Sequence, residues 1–451
     1  MKKKKIIFTL IIALLFISCK SNVKHIAEST FSHPEWSYNA SIYEVNIRQF
    51  TEEGNFASFE KHLPKIKDMG IKIIWLMPIH PIGKKNRKGN LGSYYSVKDY
   101  KGINPNFGTN EDFKKLVDKV HELDMYIIID WVANHTSWDH PWTITNKDFY
   151  TLDSAGNFVP PVEDWSDVID LNYENKKLWS QMIDALKYWV EEFNIDGYRC
   201  DVASMVPNKF WKEARVELDK IKPIFMLAEA HEPELHENGF DMTYGWQLKD
   251  LMNSYASGTV PIDTLKNHFL VDEKEYRKND FRMNFTTNHD ENSWNGTAYE
   301  RLGKFTEPFT VFISTAKGMP LVYSGQEAGM NKTLEFFEKD LIPWEDHINR
   351  NIFTKTFNEK ITNKALWNGE EGGEMNFINV SENENVLAYY RKKENDIIIT
   401  VLNLSDKKSD IKIIDESIYG NYKYLFDGDN VVINKEYKTI LDPYKYLVLV
   451  N

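Results

Sequence analysis

The sequence predicts a (β/α)₈ TIM barrel with a short insert after its third strand and an antiparallel β-sandwich at the C-terminal end. Near-continuous apolar runs such as IKIIWLMPI (71–79) alternate along the chain with amphipathic helical patterns. This alternation is typical of parallel strands that helices cover on both faces. From about Gly369, short strand-like runs separated by charged or Asn, Asp and Gly turns replace it, which favours antiparallel sheets. A doubly wound open sheet is the alternative architecture for the first part.

Eight strand-like runs account for the predicted barrel. They cover residues 41–50, 71–79, 125–132, 197–203, 223–230, 241–246, 282–290 and 318–327, and the sixth has the weakest pattern. Amphipathic patterns at 56–69, 110–123, 176–193 and 208–221 predict helices between them. The second helix begins with Thr109-Asn110 and two acidic residues, a typical N-terminal signal. In the C-terminal part, strands are predicted at 386–390, 397–404, 408–414, 422–426, 431–433 and 444–450.

One segment between these elements, residues 136–175, is unusually long and rich in Trp, Asp, Pro and Asn. A loop of that length within a compact domain is usually functional. Because it follows the third strand, we expect it to lie over the mouth of the barrel. The predicted domain limits are therefore 36–368 for the barrel, including the insert 136–175, and 369–451 for the sandwich.

The N-terminus reads as a secretion signal. Residues 1–18 contain four lysines followed by about 13 apolar or small residues, Ile6 to Ser18, which is the pattern of a signal peptide. This stretch is too short to cross about 30 Å of hydrocarbon as a helix. The sequence Phe16-Ile17-Ser18-Cys19 resembles a bacterial lipoprotein box, which implies lipid attachment to Cys19. An ordinary secretory signal with an incidental cysteine is the alternative.

These N-terminal features predict the location of the protein in the cell. Residues 19–35 are polar and unpatterned, as expected for a tether between the lipid and the barrel. The chain is then secreted across the inner membrane of a bacterium and anchored in the cell envelope. The periplasmic and the surface face both remain open.

Composition limits the possible partners. The chain of 451 residues has 55 basic and 67 acidic side chains and a formal charge of −12, whereas nucleic-acid-binding proteins usually carry a basic excess. We therefore expect no nucleic-acid partner, and we expect a monomer. The two cysteines, Cys19 and Cys200, cannot form a disulfide framework. The 13 Trp, 23 Tyr and 26 Phe residues suit a large core, and aromatic rings also stack on the apolar faces of sugars.

Four acid-bearing segments fall at the ends of predicted barrel strands. They are DWVANH (130–135), GYRCD (197–201), LAEA (227–230) and TNHD (287–290). A single Asp at a strand end is usually a helix cap, but capping does not explain four acids in one register. The active sites of TIM barrels lie at the C-terminal ends of the strands, so these acids are expected to converge at one mouth.

In this order and spacing, the motifs DxVxNH, GxRxD, a Glu after an apolar strand, and NHD resemble those of the α-amylase family of glycoside hydrolases. Three further segments support the resemblance: YYSVKDY (94–100), VIDLN (168–172) and GMPLVYSGQE (318–327). Taken together they extend it over roughly residues 36–451. The resemblance implies the same barrel and C-terminal sandwich that the periodicity predicts.

The resemblance also implies a role for individual residues. Asp201 matches the nucleophile, Glu229 the general acid/base and Asp290 the third acid of the family. Tyr95, His135, Arg199 and His289 match residues that hold the substrate. Physical chemistry agrees, because retention at a glycosidic bond needs two carboxyl groups in different protonation states. Arg199 is expected to keep Asp201 ionised, and the apolar strand before Glu229 is expected to raise its pKa.

One departure from the family pattern concerns calcium. Many starch-cleaving members carry Lys-His shortly after the nucleophile, whereas this chain has Ser204-Met205. Asn134 and Asp170 match two positions of the family's calcium site, and oxygen ligands suit Ca²⁺. Calcium is therefore a possible cofactor, and the alternative is that Asn134 only braces its loop.

The sequence thus predicts a retaining hydrolase of α-glucosidic bonds in starch-derived glucans or maltooligosaccharides. An α-glucosidase or α-glucan transglycosylase on the same fold is the first alternative. A glycan-binding scaffold without activity is the second, and it is disfavoured because all three catalytic acids are present.

Overall fold

The computed structural model describes residues 31–381 and 384–451. Eight parallel strands close into a barrel in the order β1-β10-β9-β8-β7-β6-β3-β2. The predicted TIM barrel is therefore confirmed, and the open sheet is wrong. The strands are β1 (Ile42–Val45), β2 (Ile73–Leu76), β3 (Tyr126–Trp131), β4 (His135–Ser137), β5 (Val168–Asp170), β6 (Gly197–Cys200), β7 (Phe225–Ala228), β8 (Met242–Tyr244), β9 (Phe281–Asn284), β10 (Met319–Tyr323), β11 (Glu374–Phe377), β12 (Val386–Lys393), β13 (Asp396–Asn403), β14 (Ser409–Lys412), β15 (Gly420–Tyr424), β16 (Asn430–Ile433), β17 (Lys438–Leu441) and β18 (Tyr446–Val450).

Helices alternate with the strands along the chain. They are α1 (Ile47–Phe50), α2 (Phe56–Glu60), α3 (Leu63–Asp68), α4 (Asn110–Glu122), α5 (Trp142–Thr145), α6 (Lys176–Phe193), α7 (Asn208–Asp219), α8 (Glu234–Glu237), α9 (Trp246–Ala256), α10 (Ile262–Glu275), α11 (His289–Trp294), α12 (Ala298–Leu302), α13 (Thr306–Thr315) and α14 (Ile348–Thr362). The predicted cap of α4 is present: the Thr109 side chain accepts from the Asp112 amide, and Asp112 bonds back to the Thr109 amide. The predicted helix at 56–69 is two helices, α2 and α3.

The insert after the third barrel strand is a small antiparallel unit. Strands β4 and β5 pair with each other, with His135 opposite Asp170 and Ser137 opposite Val168. The short helix α5 lies between them in the chain. This pairing joins the two ends of the insert to each other, next to the carboxyl end of β3.

The C-terminal part consists of two antiparallel sheets. A six-stranded sheet has the order β11-β12-β13-β18-β15-β16, and β14 pairs with β17 in a second sheet. Apolar side chains from both sheets form one buried cluster, which includes Ile399, Val401, Ile411 and Leu441. The antiparallel C-terminal domain is thereby confirmed.

Arg391 of β12 fastens this domain to the barrel. Its buried guanidinium donates to the carbonyl oxygens of Ala316 (3.0 Å) and Trp367 (2.6 Å), residues that precede the first C-terminal strand. The Tyr389 hydroxyl, also on β12, lies 2.6 Å from Oγ1 of Thr315 at the end of α13. Polar groups of the barrel therefore form hydrogen bonds with side chains of the C-terminal sheet.

At the other end of the chain, the last residues of the predicted tether lie against the barrel. His33 Nδ1 is 2.7 Å from Asp241 Oδ1, and the Trp36 ring stacks on Tyr126 at 3.9 Å between centroids. Tyr126 is the first residue of β3, and Asp241 directly precedes β8. Residues 33–36 therefore lie at the amino ends of the barrel strands, on the face opposite the predicted site. The predicted signal, Cys19 and the first part of the tether lie outside the described residues. Within the described part, no helix is long and apolar enough to cross a bilayer.

Candidate active site

A cavity of about 630 Å³ lies at the carboxyl ends of the barrel strands. Asp201 and Glu229 directly follow the last residues of β6 and β7, so strand polarity brings both carboxyl groups to the same mouth. Six of the residues predicted from the sequence line the cavity: Tyr95, His135, Asp201, Glu229, His289 and Asp290. The structure therefore brings six of the predicted side chains together in one cavity.

Arg199 lies beneath this cavity and not in its lining. Its side chain is completely buried, and Nη1 is 3.0 Å from Asp201 Oδ1 and 2.9 Å from Asp130 Oδ1. The other terminal nitrogen, Nη2, is 3.0 Å from Glu229 Oε1. The prediction that Arg199 holds substrate therefore needs correction, because one guanidinium joins three carboxyl groups from three strands and is itself shielded from ligand.

The charge balance around Arg199 sets the protonation of these acids. Burial raises the pKa of Asp130, Asp201 and Glu229, and Arg199 opposes this effect in each case. The highest pKa, about 8, is that of Glu229. Of the three acids, Glu229 therefore holds a proton most strongly.

Strained backbone next to Asp201 contributes to the site. Val202 has φ 37° and ψ 49°, a left-handed conformation that is costly for a β-branched residue. Its amide donates to Glu229 Oε2 at 2.7 Å. The turn after β6 thus orients the carboxyl group at the end of β7, a contact that the motifs did not predict.

A second buried network supports His289. Its Nδ1 lies 2.5 Å from Glu44 Oε1 on β1, and its Nε2 lies 2.7 Å from the Tyr95 hydroxyl and 3.1 Å from Asp290 Oδ2. Burial lowers the pKa of His289, but Asp290 and Glu44 outweigh it and raise the value to about 9. The ring is therefore a cation that holds Tyr95 and Asp290 at the cavity wall. Asp130 joins this network, because it accepts from the Tyr95 hydroxyl at 3.1 Å.

His135 differs from His289 in its charge. It lines the cavity from the start of β4, and burial lowers its pKa to about 3. At neutral pH it is therefore an uncharged imidazole, which can both donate and accept a hydrogen bond.

The sequence analysis gave no role to several residues of the site. Glu44 is a lone acid in an apolar strand, which was the available signal for a buried functional carboxyl group. Asp130 belongs to a recognised motif but had no assigned role. Trp294 and Phe336 line the cavity and lie outside the motifs. Trp294 lies one turn after Asp290 on α11, so helical spacing from the TNHD motif was an available signal. Phe336 reaches the cavity from the segment after β10, and no local pattern indicated it.

Comparison with protein families shows which family this chain belongs to. The model for the alpha amylase catalytic domain matches residues 37–165 and 162–383, and that for the maltogenic amylase C-terminal domain matches residues 375–448. The chain belongs to the alpha-amylase family. The resemblance inferred from the strand-end motifs is confirmed.

Solved alpha-amylases share the architecture of this alpha-amylase family member. A maltogenic alpha-amylase from Thermotoga neapolitana superimposes with a TM-score of 0.83 at 32% identity, covering 91% of this chain and 98% of the other. For an alpha-amylase from Lactobacillus plantarum the TM-score is 0.82 at 30% identity, with 92% and 99% coverage. Alpha-amylase 3 of Dictyoglomus thermophilum is 28% identical over 340 residues, and the match spans 65% of that relative's length.

The residues predicted for calcium are neighbours in the insert. Asn134 directly precedes β4, and its carbonyl accepts a hydrogen bond from the Leu171 amide. Asp170 is the last residue of β5 and directly precedes Leu171 in the chain. However, Asp170 Oδ2 already accepts from the Thr151 hydroxyl at 2.6 Å. Ca²⁺ needs six to eight oxygen ligands, and the described residues contain no group of three or more His, Cys, Asp or Glu side chains suited to a metal. These two residues alone do not fit a calcium site, and calcium binding stays a prediction.

We expect chelation to lower the melting temperature only slightly and to leave most of the activity, because Met205 stands where, as the family resemblance implies, the calcium site would find a ligand. The measurement is thermal unfolding and glucan hydrolysis with and without EDTA. A large loss of stability that Ca²⁺ alone restores would contradict this expectation.

Proposed function

We propose that this protein is a retaining glycosidase that hydrolyses α-glucosidic bonds of starch-derived glucans or maltooligosaccharides. The observation that carries the proposal is the convergence of Asp201, Glu229 and Asp290 on one cavity, with the buried guanidinium of Arg199 beneath the first two. Membership of the alpha-amylase family supports the same substrate class. All three acids are present, which favours an enzyme over a glycan-binding scaffold.

In the first step, Asp201 attacks the anomeric carbon while Glu229 gives its proton to the departing glycosidic oxygen. Arg199 Nη1, 3.0 Å from Asp201 Oδ1, favours the ionised nucleophile. The raised pKa of Glu229 keeps a proton available. Bond formation to Asp201 and cleavage of the leaving group leave a covalent β-glucosyl ester.

In the second step, Glu229 has become a carboxylate and takes a proton from water, which opens the ester and restores the α configuration. The Val202 amide and Arg199 both contact this carboxylate, so its negative charge is stabilised when it forms. Asp290, Tyr95 and the neutral His135 are placed to hold the hydroxyl groups of the sugar that is being transferred.

The substrate panel that tests this proposal consists of starch, pullulan, maltotriose and isomaltose, incubated with the pure mature protein and followed by chromatography. Release of maltooligosaccharides or glucose in the α configuration supports it. Accumulation of products longer than the substrate would instead favour a transglycosylase, and no reaction with any of the four would overturn it.

The protein is further proposed to be secreted and lipid-anchored in the bacterial cell envelope through Cys19. The support is the lysine-rich start, the apolar run and the box that ends at Cys19. Replacing Cys19 with alanine is expected to move the protein from the membrane fraction to the soluble fraction or to stall its processing. Identical fractionation of the variant and the wild type as soluble proteins would contradict the lipid anchor, with Cys200→Ala, a buried thiol, as the control.

A further inference from the structure

The wall of the cavity is continuous on one side of the barrel. Neighbouring strands in the order β9-β10-β1-β2-β3 carry four segments that line the cavity: α11, the segment after β10, the segment after β2 and the insert. We call the joined parts of these segments the rim, defined as Asn292 together with residues 84–92, 161–167 and 331–340.

Hydrogen bonds tie the parts of the rim to one another. Asn292 of α11 accepts from the Leu334 amide at 2.9 Å and donates to the Lys332 carbonyl at 2.9 Å. The Asn90 amide donates to Glu338 Oε1 at 2.7 Å, which joins the segments after β2 and β10. The same two segments are linked again where the Leu91 amide donates to the Phe337 carbonyl at 3.2 Å.

Lys88 joins the segment after β2 to the insert. Its Nζ donates to the Asp164 carbonyl at 2.5 Å and lies 3.5 Å from Asp167 Oδ1. Close packing supports the join between the segments after β2 and β10, because Gly89 (φ +67°) leaves space that a Cβ atom would take from Phe337. By contrast, Asp201, Val202 and Glu229 are the cavity-lining residues supplied by the segments after β6 and β7. The cavity is therefore walled on one side by the rim and bordered on the other by short turns.

Inside the rim, Trp294 offers an aromatic surface to a ligand. The residue is 58% exposed although it lines the cavity, which is uncommon for so large an apolar side chain. Its ring lies 5.2 Å from the Phe336 ring, and Phe336 is nearly parallel to Tyr95 (11°). A row of aromatic rings thus runs from the cleavage position to Trp294, and sugar rings stack on such faces.

We infer that Trp294 is a platform for a glucosyl unit near the cleavage position and that the rim behind it ends the glucan-binding groove. The protein then removes short oligosaccharides from chain ends, since a polymer cut at internal bonds must extend past the cleavage position in both directions. This inference rests on the proposed function, whose α-glucan substrate it specifies.

The test is the product pattern from amylose and maltoheptaose at low conversion. The wild type is expected to release one or two short oligosaccharides from the start, while the mean length of the amylose scarcely falls. A broad ladder of products with a rapid fall in amylose length would overturn the inference and leave the proposed function standing. The absence of any hydrolysis would overturn both.

Two sets of variants test the parts separately. Trp294→Ala is expected to raise KM for maltoheptaose about tenfold with little change in kcat, and Trp294→Phe is expected to restore most of the affinity. The matched control, Trp344→Ala, removes a part-exposed tryptophan outside the cavity lining. The double variant Lys88→Ala/Glu338→Ala cuts the side-chain ties that join the segment after β2 to the insert and to the segment after β10, and it is expected to lengthen the products. Unchanged KM in Trp294→Ala, or unchanged products in the double variant, would overturn the assigned role.

Discussion

Replacing Asp201 with glycine is expected to make the protein produce a β-glucosyl azide from an α-glucoside when azide is supplied. The substitution opens a space in which the small anion can attack from the face that Asp201 occupied, while Glu229 still protonates the leaving oxygen. Replacing Glu229 with glycine is expected to give the opposite anomer. Asp201 then forms its ester from a substrate with a good leaving group, and azide, which needs no base, opens the ester to an α-glucosyl azide.

Both variants are expected to lose hydrolysis by at least about 10²–10⁴-fold, because each lacks a group that acts directly in the transition state. The anomeric configuration of the azides is read by NMR. Asp427→Gly, which removes an exposed carboxyl group in the C-terminal domain, is the control and should hydrolyse normally without forming azides. Exchanged configurations would mean that the two roles are reversed, and near-normal hydrolysis by either variant would refute the mechanism.

Replacing Arg199 with methionine is expected to destabilise the protein by about 3–5 kcal/mol near pH 8, because it leaves buried carboxyl groups without their cation. The folded-state pKa values of Asp130, Asp201 and Glu229 are already raised by burial, and loss of Arg199 raises them further. When folding raises the pKa of an acid, ionisation of that acid lowers the free energy of unfolding at pH values above its unfolded pKa. As the pH falls, the folded state takes up protons, and this loss of stability becomes smaller. The loss of stability should therefore be much smaller near pH 5.

Urea unfolding of the wild type and Arg199→Met at the two pH values measures this difference. Arg391→Met is the matched control, since its guanidinium is equally buried but donates to backbone carbonyl groups and to no carboxylate. That control should lose stability by a similar amount at both pH values. If Arg199→Met behaved in the same way, ion pairing would not be what holds the three acids together.

The barrel strands could be predicted because the buried interior demands near-continuous apolar runs. Even the weakest predicted strand, 241–246, is present as β8. Strands β11 and β17 were missed because their side chains alternate between exposed and covered positions at the edge of a sheet and so lack a strong apolar pattern. Helix α14 was missed because its buried residues, such as Phe353 and Phe357, lie among many polar ones.

In the site, the motifs indicated which acids line one cavity but not how these acids are connected. Alternation along a strand correctly placed Arg199 beside Asp201, yet nothing local could indicate that its other nitrogen reaches Glu229 on β7. Glu44 pairs with His289 across 245 positions of sequence, and only closure of the barrel brings β1 and the end of β9 together. Sequence patterns thus identify functional side chains on single strands or helices. The folded barrel determines which of these side chains contact one another.

The contacts of Arg391 have a consequence for how the molecule unfolds. The carbonyl groups of Ala316 and Trp367 belong to the barrel, but their donor is on β12, so a chain ending before β11 would lose this donor and leave the two acceptors to water. The apolar residues Phe309 and Ile352 of the barrel helices share one buried cluster with Leu387 and Ile398 of the sheet, and the same truncation would expose that apolar surface. We therefore expect the barrel and the C-terminal sheet to unfold together, and exchange of one without the other during evolution would require new partners for the shared surface.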